Sequence, residues 1–206
     1  AALRRTGQGL VVVNSRRHAL ELFEAARAAG LDGLMHLTTR HCAADRRSVL
    51  AKIRQRLSAG ERCRVVATSL IEAGVDVDFP AVWRAEAGLD QIVQAAGRCN
   101  REGRRPAGDS IVTVFVPPDH QPPRAIADLI GDTARMIGDH DDPLSPAAME
   151  AYFREVFWRL DQELDQERIV AGFTVGRHGT DFAFRSTAER FRMIEDGMAP
   201  IIIPFD

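Results

Sequence analysis

Lysine is almost missing from this chain. Among 206 residues the only one is Lys52, flanked by Ala51 and Ile53 inside a helical pattern. A phosphate-binding loop of the G-K-[ST] kind needs a lysine after a glycine-rich turn, so none is encoded here. No D-E-x-[HD] segment of the type that holds magnesium is present either. Cysteine is scarce and odd in number: Cys42, Cys63 and Cys99 form no C-x-x-C pair. That argues against a disulfide framework or a zinc site and fits a reducing cytoplasm. The longest apolar runs, 10–13 and 201–203, fall well short of the roughly 20 residues a bilayer span requires, so no membrane association is expected. No charged segment followed by a long apolar stretch opens the sequence, and no leader is expected.

The net charge of −2 conceals an asymmetry. Residues 1–108 carry 18 Lys+Arg against 11 Asp+Glu, whereas residues 109–206 carry 9 against 18. The basic half suits a polyanion and the acidic half should repel one. Because lysine is so rare, nearly all of this positive charge is arginine. Planar, permanently charged guanidinium groups pair with phosphate oxygens two at a time.

The first 118 residues alternate strand and helix patterns. Strands are expected at 10–14, 33–38, 63–67, 81–85 and 110–116. Helices are expected at 16–29, 45–59 and 91–98, the first two closed by Gly30 and Gly60 and the last N-capped by Asp90. Strands separated by helices of about 10–15 residues imply right-handed crossovers and a parallel sheet, an α/β fold. In such sheets ligands gather at the carboxyl ends of the strands, here the loops 14–16, 38–41, 68–78 and 86–90. Pro122-Pro123 marks a linker. The expected division is 1–118 as one lobe, 119–144 as linker and 145–206 as a linker helix with a further C-terminal region. That helix opens with Ser145 as N-cap and Pro146 at its first position, and should bury Met149, Phe153, Val156, Leu160 and Leu164. Tyr152, Phe157 and Trp158 read as core. Ser186-Thr187-Ala188-Glu189 reads as a capping box for a helix through Ile194, and 201–204 as a terminal strand.

Two of the carboxyl-end segments carry chemistry. In Gln94-Ala95-Ala96-Gly97-Arg98-Cys99-Asn100-Arg101, a continuous helix would set Arg98 one turn beyond Gln94 on the same face, with Arg101 near it just past the helix end. A phosphoryl-transfer transition state spreads charge over three oxygens, and an arginine placed against it is worth roughly 4–7 kcal/mol. Upstream, Val66-Ala67-Thr68-Ser69-Leu70-Ile71-Glu72-Ala73-Gly74-Val75-Asp76 runs a strand into a loop. There Gly74 lets backbone approach a ligand, Asp76 can accept from a ribose hydroxyl and Thr68 can donate to a nucleic-acid phosphate. Glu72 and Asp78 read as loop structure, and Cys99 as a packing residue. Thr38, Arg40, Ser15 and Thr68 would form a polar, basic rim that holds phosphates without reading bases. His140-Asp141-Asp142 lacks the further ligands a metal centre needs, so no metal site is assigned.

The two segments in this order resemble the last two motifs of a superfamily 2 helicase. The run from Val66 to Phe79, then Leu89-Asp90 leading into Gln94-Ala95-Ala96-Gly97-Arg98-Cys99-Asn100-Arg101-Glu102-Gly103-Arg104, is similar to the CRISPR-associated helicase-nuclease of type I interference systems. Leu37-Thr38-Thr39-Arg40 with Asp45-Arg46 resembles the preceding motif of that family, and 188–195 through 201–204 a segment after its helicase core. The resemblance implies a second RecA-like lobe that supplies arginine fingers to ATP and Mg2+ bound on a first lobe. Gln94, Arg98 and Arg101 would face the phosphates beside Gly74 and Asp76, and Thr38, Arg40 and Thr68 would face single-stranded DNA. It further implies an HD nuclease domain, recruitment by an RNA-guided surveillance complex and a role in antiviral defence. Neither nuclease nor autonomous ATPase activity is expected of these residues alone. A non-catalytic docking module with a helicase-like lobe, or a lobe of another superfamily 2 helicase, remain alternatives.

Overall fold

Five β-branched and apolar runs become five strands: β1 (Gln8–Val13), β2 (Leu34–Leu37), β3 (Cys63–Thr68), β4 (Ala81–Ala85) and β5 (Ile111–Phe115). A computed structural model describes residues 2–173 and 183–191. Every strand pair is parallel, in the order β2-β3-β1-β4-β5. The expected α/β sheet is therefore present with all five strands in place. β3 is buried along its whole length, as befits a strand covered on both faces.

Seven α-helices lie among the described residues: α1 (Ala2–Arg5), α2 (Arg16–Ala28), α3 (Ala43–Ser58), α4 (Leu89–Ala96), α5 (Arg124–Met136), α6 (Pro146–Leu160) and α7 (Phe184–Arg190). Alternation along the strands divides the core in two. Leu10, Val12, Val65, Ala67 and Val82 face Ile53 of α3 and Ala95 of α4, while Val11, Val13, Val66 and Ala85 face Ala19 of α2. Fully burying one such valine or leucine contributes about 1.5–3 kcal/mol, so this double layer is what fixes the strand ends in space. Ser15 caps α2 by accepting from the His18 N–H at 3.1 Å. α2 and α3 close as expected at the glycines, where Leu31 N–H returns to Ala26 O and Glu61 N–H to Arg56 O.

Several expectations are corrected. α4 begins at Leu89, not Gln91, and Gly88 takes the cap position without a side-chain bond. Asp90 sits inside the first turn, where its carboxylate suits the positive end of the helix dipole and accepts from the Tyr152 hydroxyl at 2.7 Å. The helix also stops at Ala96. Residues 119–144 hold α5, with Asp132, Thr133 and Met136 buried. The Thr133 hydroxyl accepts the orphan Leu89 N–H at 2.9 Å, so α5 supplies the cap that Asp90 does not. Ala1–Tyr152 forms one compact unit and Phe153–Asp206 another.

α6 opens as expected, with Ser145 Oγ accepting the Ala148 N–H. Its buried line is Ala148, Tyr152 and Val156; of the expected Met149, Phe153, Val156, Leu160 and Leu164 only Val156 is buried, Met149 and Leu160 being half-buried and Phe153 and Leu164 exposed. Phe157 and Trp158, expected in the core, are 53% and 76% exposed. α7 starts at Phe184 with Ala183 as cap and no side-chain bond, so Ser186 lies within the helix and the expected capping box does not form. The helix end at Ile194 and the strand at 201–204 lie outside the described residues. Among the described residues no helix is long and apolar enough to cross a membrane.

Candidate functional site

The loops after β1, β3 and β4 meet at the carboxyl edge of the sheet, and the segment after α4 is drawn onto the same edge. Two backbone bonds attach it: Phe79 N–H to Arg98 O at 2.8 Å, and Asn100 N–H to Phe79 O at 2.9 Å. They make an isolated parallel bridge between Phe79 and Cys99. Once Gly97 has ended α4, the chain therefore continues as an extra rung beside the earlier loop.

The two arginines separate by depth. Arg98 is buried, and its Nε donates to Ile71 O at 3.0 Å, its Nη2 to Glu72 O and its Nη1 to Gly97 O. Burial pushes its pKa down, and the neighbouring Arg101 adds to that. Gln94 is exposed. The expected shared face of Gln94 and Arg98 is lost because the helix ends between them. Arg101 lies outside, its side chain 45% exposed, with Nε donating to Asp76 Oδ1 at 2.9 Å. Asp76 is itself 71% exposed, so this pair contributes little to stability. It does join the two motif segments at the surface. Gly74, at φ +68 with open space where a Cβ would stand, holds the left-handed turn that brings Asp76 round.

Asp78 and Asn100 build the frame beneath Arg101. Asp78 Oδ1 accepts the Arg101 N–H at 2.8 Å, and both its oxygens face Arg105 Nη1 at 3.1 and 3.2 Å. Asn100, at φ +49, pairs its amide with the Arg105 backbone in both directions, at 2.7 and 2.9 Å. The reading of Asp78 as loop structure thus agrees with its bonds. Cys99 is part-buried with its thiol pKa raised by that burial, in keeping with packing rather than nucleophilic chemistry.

Beneath the edge lies a polar cluster that sequence reasoning missed. Arg84 on β4 and Glu72 after β3 are 1% and 3% exposed, and Nε meets Oε1 at 2.6 Å, off the axis of a hydrogen bond. Arg84 Nη1 donates to Asn14 Oδ1 at 2.6 Å and to Ala85 O at 2.8 Å, and Asn14 Nδ2 donates to Glu86 O at 2.7 Å. Burial pushes the Glu72 carboxyl up while Arg84 holds it back. The available signal was a lone charge within the otherwise apolar strand Val82-Trp83-Arg84-Ala85.

The expected phosphate rim is differently built. Thr38 is fully buried, its N–H and carbonyl engaged with His41 and its hydroxyl accepting from Arg40 N–H. Ser15 is committed to its cap, and Thr68 is buried at the end of β3. Small hydroxyl residues at strand ends satisfy backbone first. Arg40 is exposed, together with Thr39 and Ser69. Among the described residues no group of three or more His, Cys, Asp or Glu is placed to hold a metal ion.

A five-stranded parallel sheet, helices on both faces and an arginine-bearing segment bridged onto its carboxyl edge define a RecA-like helicase lobe. Residues 5–104 match the family described as "CRISPR-associated nuclease/helicase Cas3, C-terminal", which supports a Cas3-like helicase C-terminal region over that part of the chain. A CRISPR-associated nuclease/helicase Cas3 of Haloferax volcanii is 44% identical over 160 residues, 75% of this chain and 16% of that protein. The crystal structure of T. fusca Cas3-ATP covers 99% of this chain and 27% of its own, with a TM-score of 0.59 at 18% identity. A chain of a CRISPR RNA-guided surveillance complex, in a pre-nicking state, covers 82% of this chain and 25% of its own, with a TM-score of 0.58 at 18% identity. At these identities the structural likeness establishes the fold. The chain spans 16% of that curated relative and about a quarter of those solved chains.

Proposed function

We propose that this lobe is the second motor domain of an ATP-dependent translocase on single-stranded DNA, acting in CRISPR antiviral defence in the cytoplasm. The observation that carries the reading is the surface meeting of Arg101 with Asp76, which places a half-exposed guanidinium at the carboxyl edge of a parallel sheet. Arg101 is the finger toward the nucleotide, with Gln94 and Gly74 beside it. Arg98 is the second guanidinium of the motif, and reaching a phosphate requires it to release the carbonyls it now holds.

The donor set here suits phosphate oxygens, whereas a G-K-[ST] loop and magnesium ligands are to be supplied by a first RecA-like lobe. ATP and Mg2+ held on that first lobe would supply the phosphoryl group and part of its charge neutralisation, and Arg101 would offset negative charge left on the phosphate oxygens it faces. Arg40, with Thr39 and Ser69, contacts the DNA backbone, Thr38, Thr68 and Ser15 shaping the loops from beneath. An HD nuclease domain and an RNA-guided type I surveillance complex are the further partners. The name of the Haloferax relative and that of the surveillance-complex chain support this assignment.

In the complete helicase, Arg101→Ala should lower DNA-stimulated ATP hydrolysis by about 10³-fold or more while DNA affinity stays within about twofold. Turnover near that of the parent would sink the reading. Tight DNA binding by the lobe with no nucleotide effect would instead favour a docking module.

A further inference from the structure

Arg84 stands near the carboxyl end of β4, whose other positions are apolar, with its side chain 1% exposed. Replacing a buried ion pair by apolar groups of similar volume is often neutral for stability, so folding alone does not call for this charge. Its contacts point elsewhere. Through Asn14 it holds the end of β1, which in turn holds Glu86 after β4. Through Glu72 it holds the loop after β3. The backbone carbonyls of Ile71 and Glu72 then receive Arg98, three residues before Arg101. One buried side chain is thereby connected to the loop after β3 and, through Arg98, to the segment that carries the exposed arginine.

We propose that Arg84 and Glu72 are a positioning pair, fixing the height of the 71–78 loop and, through Arg98, the place of Arg101. Neither touches the nucleotide. The inference rests on the role assigned to Arg101 above, and it makes the motor's response depend on a charge pair that lies outside both motif arginines.

The test uses the complete helicase with three variants: Glu72→Leu/Arg84→Met, Arg84→Lys and Arg101→Ala. The double variant should melt within about 2 °C of the parent, because a buried pair gives way to apolar groups. Its DNA-stimulated kcat should fall on the order of 10- to 100-fold, the cost of a small misplacement of a reacting group, with KM for ATP changed less than about threefold because the nucleotide still binds the other lobe. Amide exchange across 97–105 should quicken about tenfold or more while β1 exchanges as before. Arg84→Lys keeps the charge but loses the fork, and should show the same two changes, smaller. If the double variant fails to fold, Arg84→Lys carries the decision.

Unchanged kcat, or a fall in kcat without faster exchange at 97–105, overturns the proposal. Failure of the underlying reading looks different. There Arg101→Ala leaves turnover intact, and the exchange measurement alone still decides whether the pair positions the segment.

Discussion

At the amino edge of the sheet, Arg64 on β3 is buried and donates to the carbonyls of Leu3 and Thr6 and to both the carbonyl and the carboxylate of Asp32. At the carboxyl edge, Arg84 on β4 is buried against Glu72 and Asn14. The residue type and sheet are the same, but the partners differ in access to water. Asp32 is 57% exposed, whereas Glu72 is 3% exposed. Arg64 stitches α1 to the sheet and leaves its acid free to hydrate. Arg84 and Glu72 are each other's counter-ion away from water, and what they hold is the loop that carries the motif. A buried charge at a sheet edge is thus read by asking whether its counter-ion has solvent to fall back on.

The contrast is broken most directly by removing each guanidinium alone. Arg84→Met strands a buried carboxylate and should destabilise the fold by about 3–5 kcal/mol. Arg64→Met lets Asp32 rehydrate and loses carbonyl partners, so about 1–2 kcal/mol is expected. Urea unfolding of the two variants measures the difference, and equal losses would remove the distinction. Ser15→Ala, which touches the cap of α2 but no charge, should cost about 1 kcal/mol in the same assay.

A pH series sharpens the comparison with the smallest effect. His18, at the start of α2, titrates below the ordinary imidazole range because burial disfavours its cation and His120, stacked at 3.9 Å, repels it. His36 is lowered by burial and then by His41. The unfolded chain therefore takes up these protons first as pH falls through about 6.5, so stability present above that pH is lost toward the folded values. Asp32 works lower. Arg62 and Arg64 hold its carboxyl below the usual carboxylate range, so its contribution persists until pH drops through that range. Thermal melts should thus fall between about pH 7 and pH 5, and His18→Gln/His36→Gln should flatten that limb and leave the more acidic one. A slope unchanged in the double variant would place the effect elsewhere.

What was legible in the chain follows the range of the interactions. Strand cores such as 63–67 announce themselves by runs of apolar residues, and the helix-end signals at Ser145, Gly30 and Gly60 act within a few residues of themselves. All these emerged in place. The end of α4 was harder, because nothing within Gln94–Arg98 says that the chain will leave the helix to bridge Phe79, some twenty residues earlier. The same holds for Asp90, which reads as a cap until Tyr152, 62 positions away, claims it. The Arg84–Glu72 pair is set by the strand order, which no local pattern encodes. Thr38 and Thr68 are the converse case. Their hydroxyls suit a phosphate, but the strand ends they occupy are buried.

The bridge between Phe79 and Cys99 has a mechanical consequence. An arginine at the tip of a free loop would yield under load, and any tug on its guanidinium would dissipate in the backbone. Here the segment is fastened before Arg101 by two main-chain bonds to Phe79 and behind it by Asn100 closing on Arg105. Displacement of that side chain is therefore passed to β4 and the central strands with little slack, so the lobe moves as a stiff body when the arginine is pulled.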